Sequence, residues 1–330
     1  MSFQLIDSFN RKINYVRLSV TDRCDFRCVY CMGEEMTFLP REQVLTLEEL
    51  EWLGRAFIGL GVTKIRLTGG EPLVRSNILQ LFKNLGKLPD LNELVLTTNG
   101  SQLVKMAQPL REAGLKRINI SLDTLKPERF QRITQFNKLE AVLQGINAAI
   151  QVGFHRIKLN AVILKNRNHD EVIDLVRFAI EHGIDISFIE EMPLGTINSH
   201  DRAELFYSSV QILNDLKSVF NLIASTETTA GPSKYYRISQ TKTRVGFISP
   251  HSHNFCDTCN RVRVTTDGHL LLCLGKENSV NLRDVIRQHP NNLEILQQTI
   301  IDAISHKPKG HDFELDQEPQ IMRYMNVTGG

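Results

Sequence analysis

Tryptophan, net charge and long apolar runs are all scarce in this sequence. Its 330 residues include one tryptophan, and 39 basic residues against 37 acidic ones leave a formal net charge of +2. A near-neutral chain is not expected to bind nucleic acid through bulk charge. No run of about 18 apolar residues is present to span a bilayer, and the first residues, MSFQLIDSFNRK, lack the apolar stretch of a secretory signal. We therefore expect a cytoplasmic protein with neither a membrane nor a nucleic-acid partner.

Cysteine is absent from the whole middle of the chain. The six cysteines form two groups separated by residues 32–255, and these groups are Cys24, Cys28 and Cys31, then Cys256, Cys259 and Cys273. A reducing compartment disfavours a disulfide framework. Two compact groups of three therefore predict metal ligands.

Between about residues 15 and 190, short β-rich runs alternate with helical stretches that tend to stop at glycine. This alternation is typical of βαβ units and predicts six parallel strands. The predicted strands cover residues 15–20, 64–68, 94–97, 117–121, 155–161 and 185–190. Periodicity fits an open doubly wound sheet as well as a full or partial barrel. In either case, polar residues at the strand ends are expected to meet at one edge of the sheet.

The alternation ends near Met192. The sequence then predicts one helix over residues 205–220, strands over 235–238 and 244–248, and helices over 282–287 and 291–305. Asp267-Gly268 predicts a two-residue hairpin turn between strands 261–266 and 269–273, which places the second cysteine group on a hairpin. An average of about 150 residues per domain suggests two domains, or one large barrel with an appendage. We expect the first over residues 1–195 and the second over residues 196–330.

The first cysteine group directly follows the first predicted strand. Three thiolates on one loop leave one iron of a four-iron cluster without a protein ligand, and an open position is how catalytic metal sites admit substrate. Structural zinc is the alternative, but no nearby residue supplies its fourth ligand. The spacing, with Tyr30 before the last cysteine, resembles the radical S-adenosylmethionine (SAM) superfamily. Gly69-Gly70-Glu71-Pro72 after the second strand is similar to that superfamily's glycine-rich loop, where glycine permits close approach to a ligand.

The second cysteine group allows two interpretations. Its spacing resembles a zinc ribbon with one ligand missing, for which His251, His253 and His269 are candidates. Beside the first group, the incomplete set is better explained by a second iron–sulfur cluster with one iron open to substrate. Arg261 and Arg263 lie at alternate strand positions and project to one face. Guanidinium groups there suit phosphate or carboxylate oxygens.

Longer motifs extend the resemblance over nearly the whole chain. They are residues 15–24 (YVRLSVTDRC), 66–72 (RLTGGEP), 96–100 (LTTNG), 119–123 (NISLD), 188–190 (FIE) and 260–263 (NRVR), and the terminal Gly-Gly. Together with the two cysteine groups, they resemble the GTP 3′,8-cyclase family of molybdenum cofactor biosynthesis.

The resemblance implies an α/β fold, an incomplete (β/α)6 TIM-like barrel with a C-terminal extension of hairpin and helices. It implies two 4Fe-4S clusters with three cysteine ligands each, one at each end of a shared cavity, and SAM at the first. In that family an adenosyl radical removes hydrogen from C3′ of GTP, and the ribose radical attacks C8 of guanine to give 3′,8-cyclo-7,8-dihydro-GTP. The second cluster holds the guanine. Implied partners are GTP, a flavodoxin-like or ferredoxin-like electron donor and a downstream cyclic pyranopterin monophosphate synthase, with the chain a monomer or homodimer.

The resemblance also implies site residues. Those implied for SAM are Tyr30, Gly69, Gly70, Glu71, Ser121 and Met192. Those implied for GTP are Arg17, Arg66, Thr97, Lys158, Arg261, Val262 and Arg263. The tail residues Gly329 and Gly330 are either a frayed end or part of the catalytic site.

One position departs from the family. Ser187 stands where the family commonly has an arginine that faces phosphate, and Arg202 or Lys234 are possible substitutes. Two rival functions are a peptide maturase of the radical SAM type and a zinc-bearing RNA-binding or scaffold protein. The paired arginines favour a phosphorylated small molecule over a peptide, and the near-neutral charge disfavours RNA binding.

Overall fold

A mixed sheet of twelve strands forms the centre of the protein. The computed structural model describes residues 4–33, 35–229, 231–315 and 321–329. Within these ranges the strand order is β12-β11-β10-β1-β2-β3-β4-β5-β6-β9-β8-β7. The six central strands therefore follow the chain in sequence, and strands from the C-terminal part of the chain extend the sheet on both sides.

The six central strands are parallel and form the wall that the βαβ pattern predicts. They are β1 (Tyr15–Ser19), β2 (Lys64–Thr68), β3 (Glu93–Thr98), β4 (Arg117–Ser121), β5 (Arg156–Val162) and β6 (Asp185–Ile189). Each lies within one residue of its predicted bounds. A curved wall of parallel strands that does not close confirms the α/β, incomplete-barrel fold class.

Helices cover the outer face of this wall. They are α1 (Leu47–Gly59), α2 (Ile78–Gly86), α3 (Leu103–Glu112), α4 (Pro127–Thr134), α5 (Leu139–Val152) and α6 (Val172–Glu181). Leu18, Leu67 and Ile120 project outward from the strands and are fully buried beneath the helices. Alternate strand positions are polar and project inward, because successive side chains of a strand point to opposite faces. The apolar core therefore lies outside the barrel wall, and the inside is left for polar groups.

Local signals set the ends of these helices. Thr46 and Glu49 form a reciprocal capping box at the start of α1, with Thr46 Oγ1 accepting from the Glu49 amide at 3.1 Å. Gly61, Gly114 and Gly183 follow three of the helices with positive φ values of 85°, 90° and 63°, which glycine adopts without strain.

No helix in the described part of the chain combines the length and the apolar character that a membrane crossing needs.

The C-terminal part of the chain adds strands to both sides of the wall. They are β7 (Leu222–Ser225), β8 (Lys234–Ile238), β9 (Arg244–Ile248), β10 (Arg261–Val264), β11 (His269–Leu271) and β12 (Ser279–Asn281). Strand β9 pairs in parallel with β6, and β10 pairs in parallel with β1. Its helices are α7 (Ser209–Lys217), α8 (Leu282–Gln288), α9 (Leu293–Ser305) and α10 (Met325–Thr328). One sheet thus contains strands from both predicted domains, and the division after residue 195 stays a prediction.

The structure differs from the sequence expectations at two local points. The β10–β11 hairpin closes through residues 266–268, because the Thr265 amide donates to the His269 carbonyl at 2.9 Å. Gly268 has a φ of 89°, so a left-handed residue completes a three-residue loop rather than the predicted two-residue turn. Helix α7 begins only at Ser209, where Ser208 and Gln211 form a second capping box. The predicted start at residue 205 is four residues too early, because the prediction did not take this cap into account.

Candidate active site

A large cavity fills the inside of the curved sheet. Its empty volume is about 1960 Å³, including the space at its open mouth. All six cysteines line it. The other predicted site residues that line it are Tyr30, Gly69, Gly70, Ser121, Met192, Arg17, Arg66, Thr97, Lys158, Arg261, Val262 and Arg263. Residues far apart in the sequence therefore line one cavity.

Strand direction places the two cysteine groups at opposite ends of this cavity. The first group follows β1, and so lies at the carboxyl edge of the parallel strands. Cys256 and Cys259 precede β10, which is parallel to β1, and so lie at the amino edge. Strands of five residues separate the edges by roughly 15 Å at about 3.3 Å per residue. The cavity thus has two chemically similar ends and a lining of strand side chains between them.

The carboxyl-edge end is closed by a tight contact between two loops. Gly69 has a φ of 139°, and the Gly70 amide donates to the Thr21 carbonyl at 2.7 Å. A Cβ on Gly70 would lie 2.4 Å from the carbonyl oxygen of Arg23, next to Cys24. Only glycine therefore allows the β2 loop to pack against the first cysteine loop.

Glu71 belongs to the same loop but does not line the cavity. Its carboxylate accepts from the Asn99 amide at 2.6 Å and from Thr98 Oγ1 at 2.8 Å. Burial raises the pKa of Glu71 to about 7. Glu71 thus joins the loops after β2 and β3, and its direct contact with SAM stays a prediction.

The Gly70→Ala variant is expected to bind SAM at least tenfold more weakly, because the new methyl group meets backbone atoms that have no free space to move into. Equilibrium dialysis with labelled SAM measures this. Gly59→Ala in α1 is the control, since its added methyl meets only the flexible end of Gln297. Equal SAM affinity in both variants would contradict the predicted role of Gly70.

The first cysteine group carries the chemistry of a metal-cluster site. Burial raises the pKa of Cys24 to about 12, and burial together with repulsion from Cys31 raises the pKa of Cys28 well above its ordinary value. A cationic metal centre would offset this cost. Among the described residues, no three His, Cys, Asp or Glu side chains are placed so that they could together hold a single metal ion. A four-iron cluster does not require that arrangement, since each cysteine binds a different iron.

Tyr30 and Asp123 form the polar wall beside these cysteines. The Tyr30 hydroxyl donates to Asp123 Oδ2 at 2.6 Å, and the Val162 amide donates to Asp123 Oδ1 at 2.9 Å. Burial raises the pKa of Asp123 to about 6. Two further lining atoms, Asn119 Oδ1 and Asn160 Oδ1, are buried without a hydrogen-bond partner among the described residues. These acceptors fit a ligand that brings its own donors.

At the amino edge, Arg11 joins the second cysteine group to a residue near the C terminus. Arg11 Nη1 donates to the carbonyls of Cys256 at 2.8 Å and Lys309 at 2.6 Å, and Arg11 pairs with Asp7 at 2.6 Å. Arg261 lies over the Phe255 ring at 4.8 Å. Sequence reasoning missed Arg11, because nothing in its local sequence links it to the distant cysteines.

The second cysteine group lies in a more cationic setting than the first. Burial opposes ionisation of Cys259, but Arg261 and Lys307 hold its pKa below the ordinary value. A thiol that ionises readily is suited to bind metal. The three histidines considered as zinc ligands do not line the cavity, and His251 and His269 bond instead to the Glu191 carbonyl and to Asp267. His311, which the sequence analysis did not select, does line the cavity.

Cations line the strands between the two ends. Arg263, Arg17 and Arg66 lie side by side in register on β10, β1 and β2. Arg66 donates to the Tyr15 hydroxyl at 2.5 Å and to Thr97 Oγ1 at 2.8 Å. Burial alone would raise the pKa of Tyr15, but the cations around it lower that pKa to about 6. The local potential is therefore strongly positive and suits a polyanionic ligand.

Two further cations of this lining, Lys64 and Arg117, were missed by the sequence analysis. Both line the cavity and both pair with Glu93, Lys64 at 2.6 Å and Arg117 at 3.4 Å. Arg117 Nε is buried without a partner among the described residues. The signal was present in the sequence as polar residues at alternate positions of β2 and β4. In a strand of a barrel wall, such residues point inside.

The serine at position 187 has a specific set of neighbours. Lys158 Nζ donates to Ser187 Oγ at 3.1 Å, and Ser187 Oγ lies 2.8 Å from Ser233 Oγ. Burial lowers the pKa of Lys158 to about 8. The two expected substitutes are elsewhere: Arg202 pairs with Glu191 at 3.1 Å, and Lys234 is exposed, and neither lines the cavity. The expectation that one of them replaces the missing arginine is therefore wrong.

The described part of the tail is built into the site. The Gly329 carbonyl accepts hydrogen bonds from Arg263 and, at 3.3 Å, from Arg17. A Cβ on Gly329 would lie 2.2 Å from Thr68 Cγ2. These contacts disfavour a frayed end. Gly330 lies outside the described residues, and the catalytic role of both glycines stays a prediction.

Comparisons with known proteins agree with this geometry. Residues 18–179 match the Radical SAM superfamily, and residues 184–313 match Molybdenum Cofactor Synthesis C. The fold is similar to the crystal structure of Streptococcus suis SuiB, with a TM-score of 0.63 and 16% sequence identity over 97% of this chain and 78% of that one. Fold and site thus define a radical SAM enzyme with a C-terminal region of the molybdenum cofactor synthesis type.

Full-length relatives identify the family. The chain is 58% identical to the GTP 3′,8-cyclase of Saccharophagus degradans over 326 residues, covering 99% of this chain and 98% of the relative. The corresponding protein of Pseudomonas entomophila is also 58% identical, over 327 residues, with the same coverage. The chain belongs to the GTP 3′,8-cyclase family, which acts in the first step of molybdenum cofactor biosynthesis. Membership in the superfamily implies SAM and a 4Fe-4S cluster.

Proposed function

We propose that this chain converts GTP to 3′,8-cyclo-7,8-dihydro-GTP, using SAM and two 4Fe-4S clusters. The observation that carries the proposal is the single cavity, which has one group of three cysteines at each end and a row of arginines between them. A peptide substrate would not need this density of positive charge, whereas a triphosphate does. An apolar or neutral substrate would not offset the positive charge of this row.

SAM is proposed to bind at the carboxyl edge, beside Cys24, Cys28 and Cys31. The Gly70 backbone gives its methionyl group close access, and Tyr30, Ser121 and Met192 line the remaining space. When bound, the first cluster supplies the electron that cleaves SAM. The close contact between the Gly70 loop and the cysteine loop fixes the position of this backbone beside the cysteines.

GTP is proposed to bind with its triphosphate along the arginine row and its guanine toward the amino edge. Arg17, Arg66, Arg261, Arg263 and Lys158 supply the cations. Thr97 holds Arg66 in place, and the backbone of Val262 lies between the two arginines of β10. Guanidinium groups bind phosphate oxygens through paired hydrogen bonds. Orientation by several fixed cations aligns the ribose for attack on its own base.

The second cluster, on Cys256, Cys259 and Cys273, is proposed to hold the guanine. The cationic surroundings of Cys259 and the hydrogen bond from Arg11 to the Cys256 carbonyl support a metal centre at this place.

The tail residue Gly329 is proposed to act in catalysis, since its carbonyl reaches Arg17 and Arg263 at the centre of the cavity.

A small reducing protein, flavodoxin-like or ferredoxin-like, is proposed to deliver electrons, and a cyclic pyranopterin monophosphate synthase is proposed to take the product.

We further propose a cytoplasmic location. All six cysteines are free thiols, which suits a reducing compartment.

The proposed activity is tested by incubating anaerobically reconstituted protein with GTP, SAM and dithionite and identifying the product by mass spectrometry. The expected result is 3′,8-cyclo-7,8-dihydro-GTP together with 5′-deoxyadenosine. The protein should hold about eight irons per chain, four for each cluster. Stoichiometric zinc in a colourless protein, or 5′-deoxyadenosine without a modified guanosine nucleotide, would contradict the proposal.

A further inference from the structure

A second cleft lies on the outside of the barrel, behind the first cysteine loop. Its empty volume, including open solvent, is about 1670 Å³. One side is formed by Arg27, Val29, Met32 and Gly33 of the cysteine loop, and another by Glu128, Gln131 and Arg132 of α4 with Gln135 just after it. Arg167 and residues 197–199 complete it. Nothing in the proposed chemistry on GTP uses this cleft.

Met32 connects the cleft to the active site. It is 5% exposed and lines both the outer cleft and the central cavity. Its amide donates to the Cys28 carbonyl at 3.2 Å, and it directly follows Cys31. Met32 therefore borders both the cleft and the cavity that the first cysteine group lines. An electron carrier seated in the cleft would contact the same loop that carries these cysteines.

The cleft carries positive charge that the protein itself does not neutralise. Arg27, Arg132 and Arg167 line it, and none of the three forms an ion pair among the residues that the structure describes. Glu128 is the one acidic residue among the described lining residues. Arg129, on the same helix, differs: it pairs with Asp170 at 2.5 Å and with Glu171 at 2.8 Å. Guanidinium groups without an acidic partner attract and orient a carboxylate-rich surface.

The wall of the cleft is preformed. The Arg27 amide donates to the Thr134 carbonyl at 2.9 Å, and the Val29 amide donates to the Ile133 carbonyl at 3.0 Å. Arg27 Nη1 also donates to the Cys24 carbonyl at 2.7 Å. The docking face and the cysteine ligands thus belong to one hydrogen-bonded unit. A partner that binds this face needs no rearrangement to come close to the metal site.

We propose that this cleft is the docking site of a small acidic protein that carries one electron at a time. The proposal rests on the function proposed above, which requires electrons at the first cysteine group. In the step, one electron leaves the reduced carrier and enters the cluster held by Cys24, Cys28 and Cys31. No bond forms or breaks, and no proton moves.

The test uses reconstituted holoenzyme and a purified bacterial flavodoxin as the probe. Reversing two charges, in an Arg132→Glu/Arg167→Glu variant, is expected to weaken flavodoxin binding by about tenfold or more at low salt. Turnover driven by flavodoxin should fall in parallel, whereas turnover driven by dithionite should keep its wild-type rate. Lys105→Glu/Arg111→Glu, which reverses two charges at exposed positions of α3 without ion pairs among the described residues, is the matched control.

An Arg132→Glu/Gln135→Glu variant repeats the test at two exposed positions, in case Arg167 is needed for the local fold. Wild-type flavodoxin affinity in both variants, or an equal loss in the Lys105→Glu/Arg111→Glu control, would overturn the docking site. Loss of dithionite-driven turnover in the variants would overturn it as well, because the defect would then not concern the carrier. Absence of dithionite-driven turnover in the wild-type protein would count against the proposed function instead.

Discussion

The Cys28→Ala variant is expected to lose SAM cleavage completely while keeping about half of the iron. Cys28 is half-buried beside Cys31, Asp123 and Cys24, and removing its sulfur leaves two thiolates for the first cluster. Iron should fall from about eight to about four per chain, since the second cysteine group lies at the other edge of the sheet. Anaerobic iron analysis and chromatography of 5′-deoxyadenosine measure both effects.

The matched variant is Cys256→Ala, which removes a ligand from the opposite end of the cavity. It is expected to lose the same amount of iron but to cleave SAM without converting GTP. Full SAM cleavage by reconstituted Cys28→Ala protein, or identical behaviour of the two variants, would reject the division of labour between the cysteine groups.

The sequence was sufficient for the parts of the fold that depend on local patterns. Strand periodicity gave the six central strands, and glycines with positive φ ended the helices where expected. The hairpin turn after β10 was mispredicted, because the Asp-Gly pair fits both a two-residue and a three-residue loop. The difference between them depends on a backbone bond from Thr265 to His269. That bond is a property of strand register, which short motifs do not encode.

The candidate site was predictable where motifs name residues and unpredictable where packing brings them in. Cysteine spacing and the Asn-Arg-Val-Arg insert led to residues that line one cavity. Arg11 has no motif, and it reaches the site only because residues near the two ends of the chain fold next to each other there. The two expected substitutes for an arginine at position 187 were wrong because tertiary contacts, which short motifs do not encode, place them outside the cavity. Arg202 is close in sequence, but its guanidinium is already used by Glu191.

The Arg261→Ala variant is expected to weaken GTP binding by about 1.5–3 kcal/mol, roughly 10- to 150-fold in Kd, because a charge-assisted hydrogen bond is lost. Arg261 lies at the amino end of β10, in register with Tyr15, and faces the cavity beside Cys259. Anaerobic calorimetry with GTP measures the change. SAM affinity should stay at its wild-type value, because SAM is proposed to bind at the other end of the cavity.

Two controls separate this effect from damage to the cluster. Arg261 also lowers the pKa of Cys259, so the variant must first be shown to hold as much iron as the wild-type protein. Arg55→Ala, on the exposed face of α1 and paired with Glu51 at 2.7 Å, removes an arginine far from the cavity and should leave GTP affinity unchanged. GTP affinity equal to wild type in an iron-replete Arg261→Ala protein would mean that this arginine faces solvent in the working enzyme and that other cations hold the triphosphate.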